Sequence, residues 1–140
     1  MRPITLLLLC ISTLTQAQLP EVKRYWLQAA PPNATVMAAY GTLNNTSDKN
    51  IILVDAYSPA FAMTMIHQSI VVDGVAKMIH QDELVIKPNE KLIFKQGDYH
   101  IMLMQPKFKI NKGDEIKINL IYKKGEKRIV QEMWFPVEFH

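Results

Sequence analysis

After residue 17, apolar and polar residues alternate in short runs, and nearly every run stops at a recognisable turn signal. Side chains at i and i+2 share a face only in an extended strand, so this pattern belongs to half-buried strands. Runs at 21–27, 36–43, 50–57, 60–72, 75–79, 83–86, 91–94, 115–122 and 128–137 fit it, as does the run beginning at His100 and ended by Pro106. The breaks between them include Pro31-Pro32-Asn33, Asn44-Asn45-Thr46-Ser47-Asp48, Ser58-Pro59, Gln96-Gly97-Asp98 and Lys124-Gly125-Glu126. Asp73-Gly74 is a strong tight-hairpin signal. No long segment carries a helical stripe. The expectation is an all-β domain, a β-sandwich or barrel. Asparagines before Ala34-Thr35 and beside Thr46 match glycosylation acceptors and are read as turn residues.

The chemistry gathers at 63–104, which hold three of the four histidines and five of the eight methionines. Within them His67 is followed after ten residues by Met78, after twenty-one more by His100, and after one more by Met102. Thioether sulfur with neutral imidazole suits a soft, low-valent ion, which points to Cu(I). By strand geometry His100, Met102 and Met104 share a face, as do Met63, Met65 and His67, and Met78 with His80. The competing reading is ordinary: methionines fill gaps in cores, and single histidines are hydrogen-bonded side chains.

The pattern His67-x10-Met78-x21-His100-x-Met102 resembles the signature of the periplasmic PCu(A)C copper chaperones. The likeness extends to Tyr25-Trp26, Ala30-Pro31-Pro32, Met37-Ala38-Ala39-Tyr40, Asn44-Asn45-Thr46, Asp73-Gly74 and the Tyr99 to Met104 run. The resemblance implies a cupredoxin-like Greek-key fold and delivery of Cu(I) for assembly of the Cu(A) centre of cytochrome c oxidase. Two departures stand out. Some relatives continue into a His- and Met-rich tail, whereas this sequence ends at Phe139-His140, so no tail site is expected. Many have Arg-Pro after the methionine, where this chain has Ile79-His80. His80 is read as a surface histidine, and Met65 and Met104 as core or rim packing residues.

Residues 1–17 read as a secretory signal peptide: Arg2, an apolar stretch at 4–14, and Thr15-Gln16-Ala17 as the cleavage site. The apolar stretch is too short to span a bilayer comfortably, so no permanent membrane anchor is expected. Residues 18–140 would form one copper-binding domain in the periplasm. Cys10, the only cysteine, lies in the leader without a convincing lipoprotein pattern before it. The mature chain would then carry no thiol, which suits a metal carrier where thiolates are consumed as disulfides.

Other classes find little support. Net charge is +3, or +2 once Arg2 is removed, and the lysines are scattered among acidic and apolar residues, so no nucleic-acid partner is expected. There is no Gly-x-Ser-x-Gly elbow and no His-Glu-x-x-His helix, and the domain is not expected to be an enzyme. A blue-copper electron carrier needs a cysteine ligand that the mature chain lacks. What remains is a Cu(I) carrier, expected to be monomeric; the resemblance implies a copper acceptor as its partner, such as the Cu(A) domain or another copper chaperone. The alternatives are a copper storage or scavenging protein and a metal-free β-sandwich interaction module.

Overall fold

The computed structural model describes residues 18–140; residues 1–17, read as a signal peptide and holding Cys10, lie outside the described residues. Ten strands are formed: β1 (Glu21–Gln28), β2 (Val36–Asn44), β3 (Ile51–Tyr57), β4 (Phe61–Val72), β5 (Val75–His80), β6 (Leu84–Ile86), β7 (Lys91–Phe94), β8 (Tyr99–Pro106), β9 (Glu115–Lys124) and β10 (Lys127–Glu138). There is no helix among the described residues. The strands run in the order β5-β4-β8-β2-β1-β10-β9-β3-β6, with β7 also paired to β2. The parallel contact of β1 with β10 joins the two halves of this path.

The core lies on the inward positions of these strands. Leu27, Ala39, Leu43, Ile66, Ile101 and Leu103 come from one half, and Leu53, Ile86, Ile118, Leu120, Phe135 and Val137 from the other. The alternation seen in the sequence therefore has its physical cause in one buried face per strand. Ile51-Ile52-Leu53-Val54 obeys it too: Ile51 and Leu53 are buried, while Ile52 and Val54 remain half-exposed. Tyr122 enters the core with its polar end satisfied, its hydroxyl donating to Gln131 Oε1 at 2.8 Å. Burial pushes that hydroxyl's pKa far up, so it stays protonated.

Two turns shape the half that carries the histidines. At Asp73-Gly74 both residues have positive φ, 51° and 76°, as a type I′ hairpin requires, and Val72 pairs with Val75 across it. The second feature is a protrusion. β7 pairs with Gly41–Asn44 of β2 and β8 with Val36–Ala39. The two are thus one line along β2, and residues 95–100 lie opposite Tyr40 alone. The protrusion is closed by Asp98 N–H donating to the Lys95 carbonyl (3.1 Å) and Lys95 N–H to the Tyr99 carbonyl (2.9 Å). The asparagine turn at 44–48 is also a structural plug. Asn45 is buried, donates to the Lys49 and Ile86 carbonyls, and accepts from the Ser47 N–H and hydroxyl.

Candidate metal centre

Three adjacent strands, β5, β4 and β8, bring the predicted residues onto one face of the sheet. His67 in β4 stands opposite His100 in β8 on one side and His80 in β5 on the other. The ring centroids lie 5.9 Å apart for His67 with His100 and 5.8 Å for His67 with His80, both edge to face. Met102 is one same-face step along β8 from His100, opposite Met65. Met78 is the corresponding step along β5 from His80, opposite Ser69. All four predicted residues therefore occupy the outer face, with Ile66, Ile101 and Leu103 turned into the core behind them.

The environment differs across the array. His100 is only 5 % exposed although it lies on the outer face. Its Nδ1 meets the Asp98 carbonyl at 3.0 Å. A carbonyl can only accept, so Nδ1 carries the proton and Nε2 keeps a free lone pair. Asp98 is itself held to β4: its carbonyl accepts from Ser69 N–H at 3.1 Å, and its carboxylate from Gln68 Nε2 at 3.2 Å. The 95–98 protrusion thus sets the orientation of the His100 ring.

His67 is half-buried, and its Nδ1 is buried without a hydrogen-bond partner. Burial, then the neighbouring His100 and His80, hold its pKa below the ordinary histidine value. The ring is therefore kept neutral, the form that can donate a lone pair. Met78 is 58 % exposed, on the edge strand. His80 is exposed and touches Asp82, Nε2 to Oδ1 at 3.3 Å.

The turns Asp73-Gly74 and Gln96-Gly97-Asp98, which bound the segments carrying these residues, predict a site at one end of the sandwich, near exposed loops. The structure places the residues within strands, on a sheet face, with the 96–98 turn beside them. The reason is register: pairing of His67 with both His100 and His80 fixes the array at mid-strand in β4. The position of His80 next to His67 is what the sequence reading missed, and the Asp73-Gly74 signal contained it. A two-residue turn forces positions equally distant from it into opposition. Among the described residues no three His, Cys, Asp or Glu side chains are grouped to hold a metal. A polar hollow lined by Val54, Asp82, Glu83, Lys123 and Arg128 shares no residue with the array.

The fold is that of a PCu(A)C-type domain. The Cu(I)-bound solution structure of DR1885 from Deinococcus radiodurans superposes with a TM-score of 0.65 at 29% identity, covering 87% of this chain and 81% of that one. The copper-bound PCuAC domain from PmoF2 superposes at 0.66 and 18% identity, covering 85% and 92%, a likeness of fold. These matches establish the cupredoxin-like β-sandwich that the resemblance implied. The chain belongs to the family described as "Putative lipoprotein LpqE-like", whose model matches residues 21–133. Among curated relatives, an uncharacterized protein of Rickettsia prowazekii, RP573, is 39% identical over 94 residues, 66% of this chain and 52% of that protein. A Leifsonia xyli protein named as a putative lipoprotein, Lxx21020, is 30% identical over 111 residues, 79% and 66%. The chain thus spans about half to two-thirds of the length of the curated relatives it matches.

Proposed function

We propose that this domain is a periplasmic copper chaperone that binds one Cu(I) through His67, Met78, His100 and Met102. On this reading it delivers the ion to a copper acceptor, the Cu(A) centre of cytochrome c oxidase during its assembly. The observation that carries the reading is the shared outer face: two histidines in direct register, each with a methionine of the motif one same-face step away on its own or the adjoining strand. The donor set is uncharged and suits a soft monovalent ion. The unpaired, buried Nδ1 of His67 also supports it, because a polar atom left without a partner costs stability that a bound ion would recover. The likeness to copper-bound domains points the same way.

Each residue has a definable part. His100, oriented by Asp98, offers Nε2 from a nearly buried position. His67, held neutral, offers its lone pair without first losing a proton. Met102 and Met78 supply sulfur, and the exposure of Met78 on the edge strand makes it the ligand an incoming acceptor can replace first. A carrier without thiolates loses its ion readily to an acceptor that has them, so transfer needs no energy source. Export by the 1–17 leader with cleavage after Ala17 fits this role, and the lipoprotein names of the family and of one relative are in keeping with export.

Replacing Met78 and Met102 by Leu removes both sulfurs and keeps most of the volume. The Met78→Leu/Met102→Leu protein should lose Cu(I) affinity by at least about tenfold, equivalent to ~1.4 kcal/mol, in competition with a colorimetric chelator. An affinity equal to that of the unaltered protein would remove the assignment.

A further inference from the structure

Seven methionines lie among the described residues. Met37 is in the core and Met133 packs against it. The other five, Met63, Met65, Met78, Met102 and Met104, are on the outer face with the histidines and form no part of that core. Of the core or rim packing expected for Met65 and Met104, only the core alternative fails: both are half-buried on the outer face. Nor is methionine the usual content of a solvated sheet face, which is ordinarily polar. On β9 the outward positions include Lys117, Asn119 and Lys123.

The register makes this a ladder. His67 faces His100, Met65 faces Met102, and Met63 faces Met104, three successive same-face pairs on β4 and β8. Directly opposed side chains in such a pair have Cβ atoms about 4.5–5.5 Å apart, and diagonal neighbours about 7–8 Å. Both separations are within reach of long, flexible thioethers. On the β8 side the ladder is bordered by Val36 and Ala38 of β2, and the small Ala38 leaves space beside Met102. On the β4 side β5 pairs only with residues 67–72, so that flank of Met63 and Met65 has no strand beside it. Met63 is 46 % exposed, which leaves its sulfur accessible to an arriving ion.

We propose that Met63, Met65 and Met104 form a second soft-metal position, an all-thioether site for monovalent Cu(I) or Ag(I). It adjoins the His67, Met78, His100 and Met102 centre through the Met65–Met102 pair. The inference builds on the Cu(I) reading of that centre and goes beyond it: the chain holds two ions at saturation, the second on sulfur alone. Three neutral thioethers without imidazole bind more weakly, so this position fills second and empties first. An ion bound there is one residue pair away from the stronger site, on the same face.

Silver(I), which does not change oxidation state in air, is the probe. Residues 18–140 carrying 13C-methyl methionine are titrated with Ag(I), with native mass spectrometry counting ions and NMR following each methyl. The first equivalent should shift Met78 and Met102, and the second Met63, Met65 and Met104. Met63→Leu/Met104→Leu, which alters neither the core nor the first centre, should take up one ion in place of two. Saturation of the unaltered protein at one ion with the Met63 and Met104 methyls unmoved would overturn the proposal, as would a variant that still binds two. Loss of the first equivalent belongs to the other reading and is scored separately, by whether Met78→Leu/Met102→Leu abolishes it.

Discussion

His67 lies between two other imidazoles, and its ionisation reports on both. Its pKa is lowered by burial first, then by His100 and His80. Below the free histidine value of ~6.5, the unfolded chain takes up a proton at this position before the folded one does. The metal-free domain should therefore hold the full contribution of neutral His67 above that value and lose it as pH falls through the lower folded pKa. NMR titration of the ring should give a midpoint below that of a free histidine. In His80→Gln the midpoint should move up, because one source of repulsion is gone while the burial remains. A midpoint unchanged or lower in that variant would show that His80 does not act on His67.

The same residue scale sets the pH dependence of the metal. Protons compete for imidazole and not for thioether, so Cu(I) affinity at the mixed centre should fall as the solution is made mildly acidic. Affinity that stays flat across this range, measured by chelator competition, would mean that His67 and His100 do not both ligate.

At the scale of elements, the β4–β5 hairpin and the 95–100 protrusion build the site, and each depends on a local device. Gly41 is a test of the packing behind them. A Cβ placed there would come within 2.8 Å of the Tyr25 Cβ and 3.1 Å of its Cα, where β1 bulges between Lys23 and Trp26. Gly41→Ala should cost about 1–3 kcal/mol in chemical denaturation, the usual result of forcing a methyl into a packed space. It should also disturb Trp26 and Tyr40, whose tilted rings lie 5.3 Å apart. A variant as stable as the parent would show that β1 can retreat without loss.

Most of these elements were legible in the sequence. Alternation and turn residues placed each strand to within a few positions, because one buried face per strand leaves a period-two record. The common face of His67, Met78, His100 and Met102 was legible only in part. Same-face relations within a strand follow from spacing, whereas the opposition of His67 to His100 depends on which distant strands pair. The joining of β7 and β8 into one line along β2 left no local trace, since Gln96-Gly97-Asp98 looks like any turn between strands. That Met65 shares a face with His67, and Met104 with His100, followed from spacing; that they stand opposite Met102 and Met63 did not, because it depends on the same long-range pairing.

For the whole molecule, work as a periplasmic carrier requires export and release. The cleavable leader proposed for residues 1–17 and the lipoprotein names among relatives make different predictions for the N-terminus. Cleavage after Ala17 gives a protein starting at Gln18 with no lipid, whereas lipoprotein processing would leave a lipidated Cys10. Intact-mass analysis of the protein recovered from the producing cell should find the Gln18 form, and an acylated Cys10 would show a membrane-tethered carrier instead.

Delivery is the claim on which the rest depends, because binding alone would serve a store equally well. The most direct measurement mixes the Cu(I)-loaded domain with a reduced, soluble Cu(A) domain of an oxidase and follows copper in both by NMR and mass. Net transfer to the acceptor through direct contact is expected, blocked when a dialysis membrane separates the two. Copper that stays on the chaperone, or that crosses the membrane at the same rate as in the mixture, would contradict it.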